Sequence, residues 1–94
     1  MNTVWKFQIP VSTEFDLSMP KNAQIIHVDS QFDQACLWAV VDSGALTETR
    51  SFILVGTGSA IPTFDYPLER LEHRGTFMVS GGTYVFHLFE KMKK

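Results

Sequence analysis

Apolar and polar residues alternate one for one along most of this chain, and that period of two constrains the fold more than any other feature. In TVWKFQI, Trp5, Phe7 and Ile9 share one face while Lys6 and Gln8 share the other. In EFDLSM, Phe15, Leu17 and Met19 alternate with Glu14, Asp16 and Ser18. Successive side chains of an extended strand point to opposite faces, so both segments read as half-buried strands. Pro10 ends the first, and Pro20-Lys21-Asn22 breaks the second. AQIIHVDS, from Ala23, is a third strand, and the polar run Ser30 to Gln34 turns the chain.

Two later segments are apolar on both faces. CLWAVVD, Cys36 to Asp42, has no wet side, and neither has RSFILV from Phe52 onward. Such strands sit centrally or are covered twice. Asp42-Ser43-Gly44 supplies turn chemistry, so the two are expected to form a hairpin with a loop of several residues. Ser59 to Arg74 is the least regular part, interrupted by Pro62 and Pro67; Pro67 to Leu71 can form one helical turn, with proline in first position. GTFMVS and TYVFHLFE flank Gly81-Gly82, which predicts a two-residue hairpin turn because primed turns need positive φ. The expected fold is all-β and mainly antiparallel. About seven short strands make a small sandwich or partly closed barrel, with at most one short helical turn.

Ninety-four residues make one domain, 1–94, with a thin core. At 45% apolar and 13% aromatic, the chain is expected to fold. Three strands, at 36–41, 52–55 and 84–89, lack a wet face, which a chain this short has little material to cover. A homodimer or higher closed oligomer is therefore expected, the alternative being that Ser59–Arg74 folds over one face. A net charge of −2 argues against general nucleic-acid binding. Cys36 is the only cysteine, so no intrachain disulfide forms. No apolar run reaches the length of a membrane span, and the first residues lack the core of a signal peptide. A cytosolic setting follows.

The chemistry-bearing residues point to binding rather than catalysis. ILVGTGSAIP carries Gly56-Thr57-Gly58 without the third glycine of a dinucleotide fingerprint or the lysine of a P-loop, and Pro62 opposes an immediate helix. The glycines either terminate a buried strand or let consecutive N–H groups cradle an anion. In the second case Thr57 and Gly58 contact phosphate, Arg50 and Arg74 supply charge, and Trp5 or Tyr84 stacks on a base. Cys36 opens an apolar strand and behaves as a small hydrophobe. His27, His73 and His87 show no metal-ligand spacing, and no carboxylate pair is marked as acid and base. No catalytic residue, metal or cofactor is assigned.

Taken in order, WKF at 5–7, MPKNAQIIHV at 19–28, CLWAVVD at 36–42, GTGSAIP at 56–62, HRGTF at 73–77 and VFHLFE at 85–90 resemble a family of small proteins encoded by bacteriophages and prophages, known as a domain of unknown function. The resemblance covers nearly the whole chain and brings no active site. It implies a single-domain protein in the cytoplasm of an infected bacterium. The expected function is that of a non-catalytic counter-defence factor, sequestering a nucleotide-derived signalling molecule as an oligomer. The alternatives are an inhibitor binding a host protein through a strand edge or aromatic patch, a minor virion or assembly component, and a hydrolase whose site appears only on folding.

Overall fold

The computed structural model describes residues 1–62 and 66–93. It contains seven strands: β1 (Asn2–Gln8), β2 (Glu14–Pro20), β3 (Gln24–Gln31), β4 (Gln34–Asp42), β5 (Thr47–Gly56), β6 (Leu71–Val79) and β7 (Tyr84–Lys91). All pairings are antiparallel. They form a three-stranded sheet in the order β1-β4-β3 and a four-stranded sheet in the order β2-β5-β7-β6. Neither sheet closes on itself, and the architecture is a small sandwich. The only helical pieces among the described residues are single 3-10 turns at Leu68–Arg70, behind Pro67, and at Ser80–Gly82.

The period-two segments fold as their patterns require. Phe15, Leu17 and Met19 of β2, Leu37, Ala39 and Val41 of β4, Phe52 and Leu54 of β5, Phe77 of β6, and Leu88 of β7 meet between the sheets. Phe15 stacks on its cross-strand partner Phe52 at 5.4 Å. Each large side chain moved fully from water into such a core contributes about 1.5–3 kcal/mol. Ile53 and Val55 point away from this core, yet they are only 0% and 6% exposed. Topology bears on this. β5 and β6 both pair antiparallel with β7 and so run the same way. The chain must therefore return along the sheet between them, and among the described residues of that connection Ile61, Pro62 and Tyr66 are half-buried. Within one chain β5 is thus covered on both faces.

Three local expectations need correction. The segments at 36–42 and 50–55 do not form a hairpin. The turn at Asp42–Gly44 is present, with Asp42 accepting from the Gly44 N–H at 3.1 Å, but it hands the chain from one sheet to the other. β4 already has β1 and β3 on its two edges, and β5 has β2 and β7, so neither has an edge left for the other. The Gly81-Gly82 hairpin forms, but Val79 pairs with Tyr84, so its loop holds four residues. Ser80, at φ 53°, shares the left-handed conformation with both glycines. Finally, the irregular segment is shorter than expected, because Leu71 to Arg74 belong to β6.

The sheets approach most closely where β3 meets β6. An ideal Cβ on Gly75 would lie 2.6 Å from Val28 Cβ, so only a glycine lets the backbones come this near. Further along both strands, an Asp33 carboxylate oxygen accepts from the Ser80 backbone N–H and ties the two hairpin tips together. The β3–β4 tip is Phe32-Asp33, at φ 51° and 62°, and Phe32 is 97% exposed.

Gly75→Ala is expected to lower stability by about 1–3 kcal/mol through overpacking, and Val28→Ala to recover only a small part of that loss in the double variant, because alanine removes the Cγ clash but keeps the Cβ that lies 2.6 Å away; urea midpoints of the four-member cycle measure the coupling. Phe32→Asn relieves a bulky residue of left-handed geometry and buries nothing less, so a gain of about 1 kcal/mol is expected in the same assay.

Candidate functional site

Two arginines and a buried carboxylate converge where the inter-sheet core ends. Arg50, Phe52 and Leu54 lie on the core-facing side of β5, and Phe86, Leu88 and Glu90 on that of β7. Glu90 is therefore delivered to the interior and is 4% exposed. Arg50 grips it bidentately, Nε to Oε2 at 2.6 Å and Nη2 to Oε1 at 2.8 Å. The remaining Arg50 nitrogen donates to the Ala23 carbonyl just before β3. Arg74 Nε donates to Glu90 Oε1 at 2.9 Å, and its Nη1 lies 3.4 Å from Glu72. Arg74 reaches inward because the β6–β7 register shifts between His73 and Gly75, a bulge that re-aims one side chain. Burial pushes the Glu90 carboxyl up, but the hydrogen bonds and charge of Arg50, and then of Arg74, outweigh it and hold the group below its ordinary 4.5. The same hydrogen bonds raise the Arg50 guanidinium above its usual value.

Beside this cluster lies an open cleft of about 470 Å³, lined by the Asn22–Ala23 turn, Glu48 to Ser51 of β5, Tyr66, and Glu90 to Lys93. Lys91 Nζ sits 5.7 Å from the Tyr66 ring centroid and 3.4 Å from Glu14. The Tyr66 hydroxyl donates to the Met92 carbonyl. Arg50, Lys91 and Lys93 oppose Glu48 and Glu90, so the lining is net positive on a chain whose net charge is −2. A second cleft, about 390 Å³, lies between Lys21–Asn22 and Ala45–Leu46.

The six residues expected to form one anion site are divided. Arg50 and Arg74 meet on Glu90. Thr57 and Gly58 lie beyond the opposite end of β5, seven residues and roughly 23 Å along an extended strand from Arg50. Gly56 to Ser59 is a turn closed by Ser59 N–H to the Gly56 carbonyl at 3.0 Å, with Gly58 at φ 87° in the position where a type II turn needs a glycine. Tyr84 is at this same end, next to Val85, whose carbonyl accepts from the Thr57 N–H. It packs 6.4 Å from Phe86 and is 58% exposed. Trp5 belongs to the other sheet, on edge strand β1, 6.4 Å from Phe7. Cys36 is buried and donates to the Gln34 carbonyl.

Sequence reasoning missed two features. Glu90 was legible, because it continues the apolar series Tyr84, Phe86, Leu88 on one strand face. The other carries no sequence signal. Thr57 Oγ1 is 2.7 Å from His87 Nε2, His87 Nδ1 is 3.0 Å from Thr76 Oγ1, and that hydroxyl is 3.1 Å from His73 Nε2. The run can be satisfied in either direction; with both imidazoles protonated on Nε2, His73 donates to Thr76, Thr76 to His87 Nδ1 and His87 to Thr57, which leaves the Thr57 hydroxyl to donate to the Val85 carbonyl. It fastens the Gly56–Ser59 turn to β7 and β6, and neither cleft includes Thr57 or His87.

The molecule is thus a small two-sheet β protein with an ion-lined cleft beside Glu90. The chain belongs to the family described as a domain of unknown function, DUF7352, which matches residues 1–94. No curated protein and no solved structure matches it. No helix among the described residues is long and apolar enough to cross a membrane.

Because its folded pKa is depressed, Glu90 stabilises the fold at neutral pH, and that contribution is lost as pH falls from 4.5 through the lower folded value. Glu90→Gln leaves two guanidinium groups facing a neutral amide, and should cost about 3–5 kcal/mol at pH 7 while flattening the acid limb. Urea midpoints of both proteins between neutral pH and pH 3 give the comparison.

Proposed function

We propose that the protein is a non-catalytic binding protein that holds a small, anionic, ring-bearing molecule of nucleotide-derived kind in the cleft beside Glu90. The observation that carries this is the cleft itself. Its volume, about 470 Å³, is that of a small-molecule site, and its lining is net positive on a net negative chain. Lys91 and Lys93 offer charge to phosphate, the Thr49 hydroxyl offers a hydrogen bond, and the Tyr66 ring offers a face to a base. Arg50 acts as a fixed positive wall, since its donors are already engaged. Thr57, Gly58, Trp5 and Tyr84 play no part in this cleft.

Binding without turnover makes the mechanism stoichiometric sequestration. With the resemblance to small phage proteins, it makes the chain a counter-defence factor in the cytoplasm of an infected bacterium. Self-association is part of the proposal, but its basis is narrower than the sequence suggested, because β5 is covered within one chain. It rests on β1, an edge strand with Val4 50% and Trp5 40% exposed. An open edge can add a strand from a second copy. The same edge favours a second reading, an inhibitor that pairs with a strand of a host protein.

A thermal-shift screen with cyclic dinucleotides and ADP-ribose tests the cleft. A ligand at a hundredfold its dissociation constant adds about 2.7 kcal/mol, so a clear rise in Tm is expected for at least one compound. Lys91→Ala with Lys93→Ala should weaken binding about tenfold or more without loss of fold, and the compound should be recovered intact after denaturation. No shift across the panel overturns the proposal.

A further inference from the structure

The outer face of the three-stranded sheet is a second candidate surface, remote from the cleft in chemistry. Its register fixes a grid of side chains pointing away from the core. The central row is Lys6, Trp38 and His27, on β1, β4 and β3. One row along, Gln8, Cys36 and Asp29 align, and on the other side Val4, Val40 and Gln24. Gln31 and Gln34 close the hairpin end of the same face. Trp38 thus occupies the middle of an open sheet, half-buried, with its ring 5.7 Å from the His27 ring. At ordinary strand spacings the grid covers roughly 10 by 20 Å.

We infer that this face is a binding site for a neutral carbohydrate, stacked on Trp38 and held by the surrounding amides. The aromatic face of Trp38 carries negative potential, which attracts the weakly positive C–H groups of a sugar ring. Four of the seven polar side chains on the grid are amides, Gln8, Gln24, Gln31 and Gln34, and an amide both donates and accepts, as a run of hydroxyls requires. Charge points the same way. Lys6 donates to Gln31 Oε1 at 2.8 Å, and Asp29 lies 3.5 Å from His27 Nε2, so the one lysine and the one carboxylate on the face are each engaged with a neighbour. A single-stranded nucleic acid needs a row of free cations to follow its phosphates, and this face has none among the described residues. A grid of this size accommodates two or three sugar rings.

The site is independent of the anion cleft, so either can fail without the other. Trp5→Phe leaves Trp38 as the only tryptophan, and its emission can be followed while maltotriose, cellotriose and chitotriose are titrated in turn. A saturable change is expected for at least one, with a dissociation constant in the millimolar range or tighter. Gln24→Ala, exposed and remote from the core, should weaken that binding about five- to tenfold. Calorimetry on Trp38→Ala should show no binding, with circular dichroism confirming its fold. If none of the three sugars changes the emission, the inference is overturned. It is equally overturned if oligo-dT, or protein concentration alone, produces the change instead.

Discussion

The interaction on which the architecture depends is the buried contact between Glu90 and two arginines. It joins three strands of one sheet to the turn that leads into the other. Arg50 comes from β5, Glu90 from β7 and Arg74 from β6, and the Ala23 carbonyl that Arg50 also holds lies just before β3. A carboxylate this enclosed is tolerable only because both oxygens are occupied by cationic donors, and among the described residues no buried side-chain polar atom lacks a partner. Buried ion pairs add little net stability over apolar packing, but a broken one is costly. Their value here is geometric. An apolar end to the core would tolerate β3 entering at several heights, whereas a bidentate arginine with one more N–H aimed at a single carbonyl fixes one.

Further along the same β3–β6 seam the sheets are held by a close contact and one hydrogen bond. Gly75 lets β6 come against Val28, and Asp33 binds the Ser80 N–H beyond it. The bulge that precedes Gly75 serves both purposes, since the same irregularity turns Arg74 inward and brings the glycine against β3. The two sheets are therefore joined along β3 and β6, while the far edges, β1 and β2, remain unpaired. Lys6 on one and Glu14 and Asp16 on the other put charge on both edges, a common guard against indiscriminate pairing. Val4 and Trp5 interrupt that guard on β1 alone.

Strand existence and face were legible in the sequence because both follow from local alternation. Trp5, Phe7 and Ile9 on one side of β1, or Phe15, Leu17 and Met19 on one side of β2, need no knowledge of partners. Partners were not legible. The turn chemistry at Asp42–Gly44 says that the chain reverses, but not whether the strands on either side pair or part to different sheets; that depends on which edges β1, β2, β3 and β7 have taken. The same limit explains the site. Arg50 and Glu90 each sit on the apolar face of an alternating strand, and a charge in that position signals a buried partner. Arg74 gives no such signal, because a bulge removes it from the alternation. The Thr57–His87–Thr76–His73 run links a turn to two strands and obeys no local spacing at all.

This division separates the two kinds of surface the molecule offers. Arg50 lines the cleft, but it is also the residue that fixes the entry to β3, so its loss would disturb the proposed site and the fold together. If the cleft is the site proposed, its affinity can be changed without loss of the fold only through residues that line it without bracing it, which means Lys91, Lys93 and Thr49. The Trp38 face is free of that conflict, because none of its side chains reaches the inter-sheet core. A chain with so thin a core can alter the second surface far more cheaply than the first, and its chemistry can diverge there while Arg50, Arg74 and Glu90 stay in place.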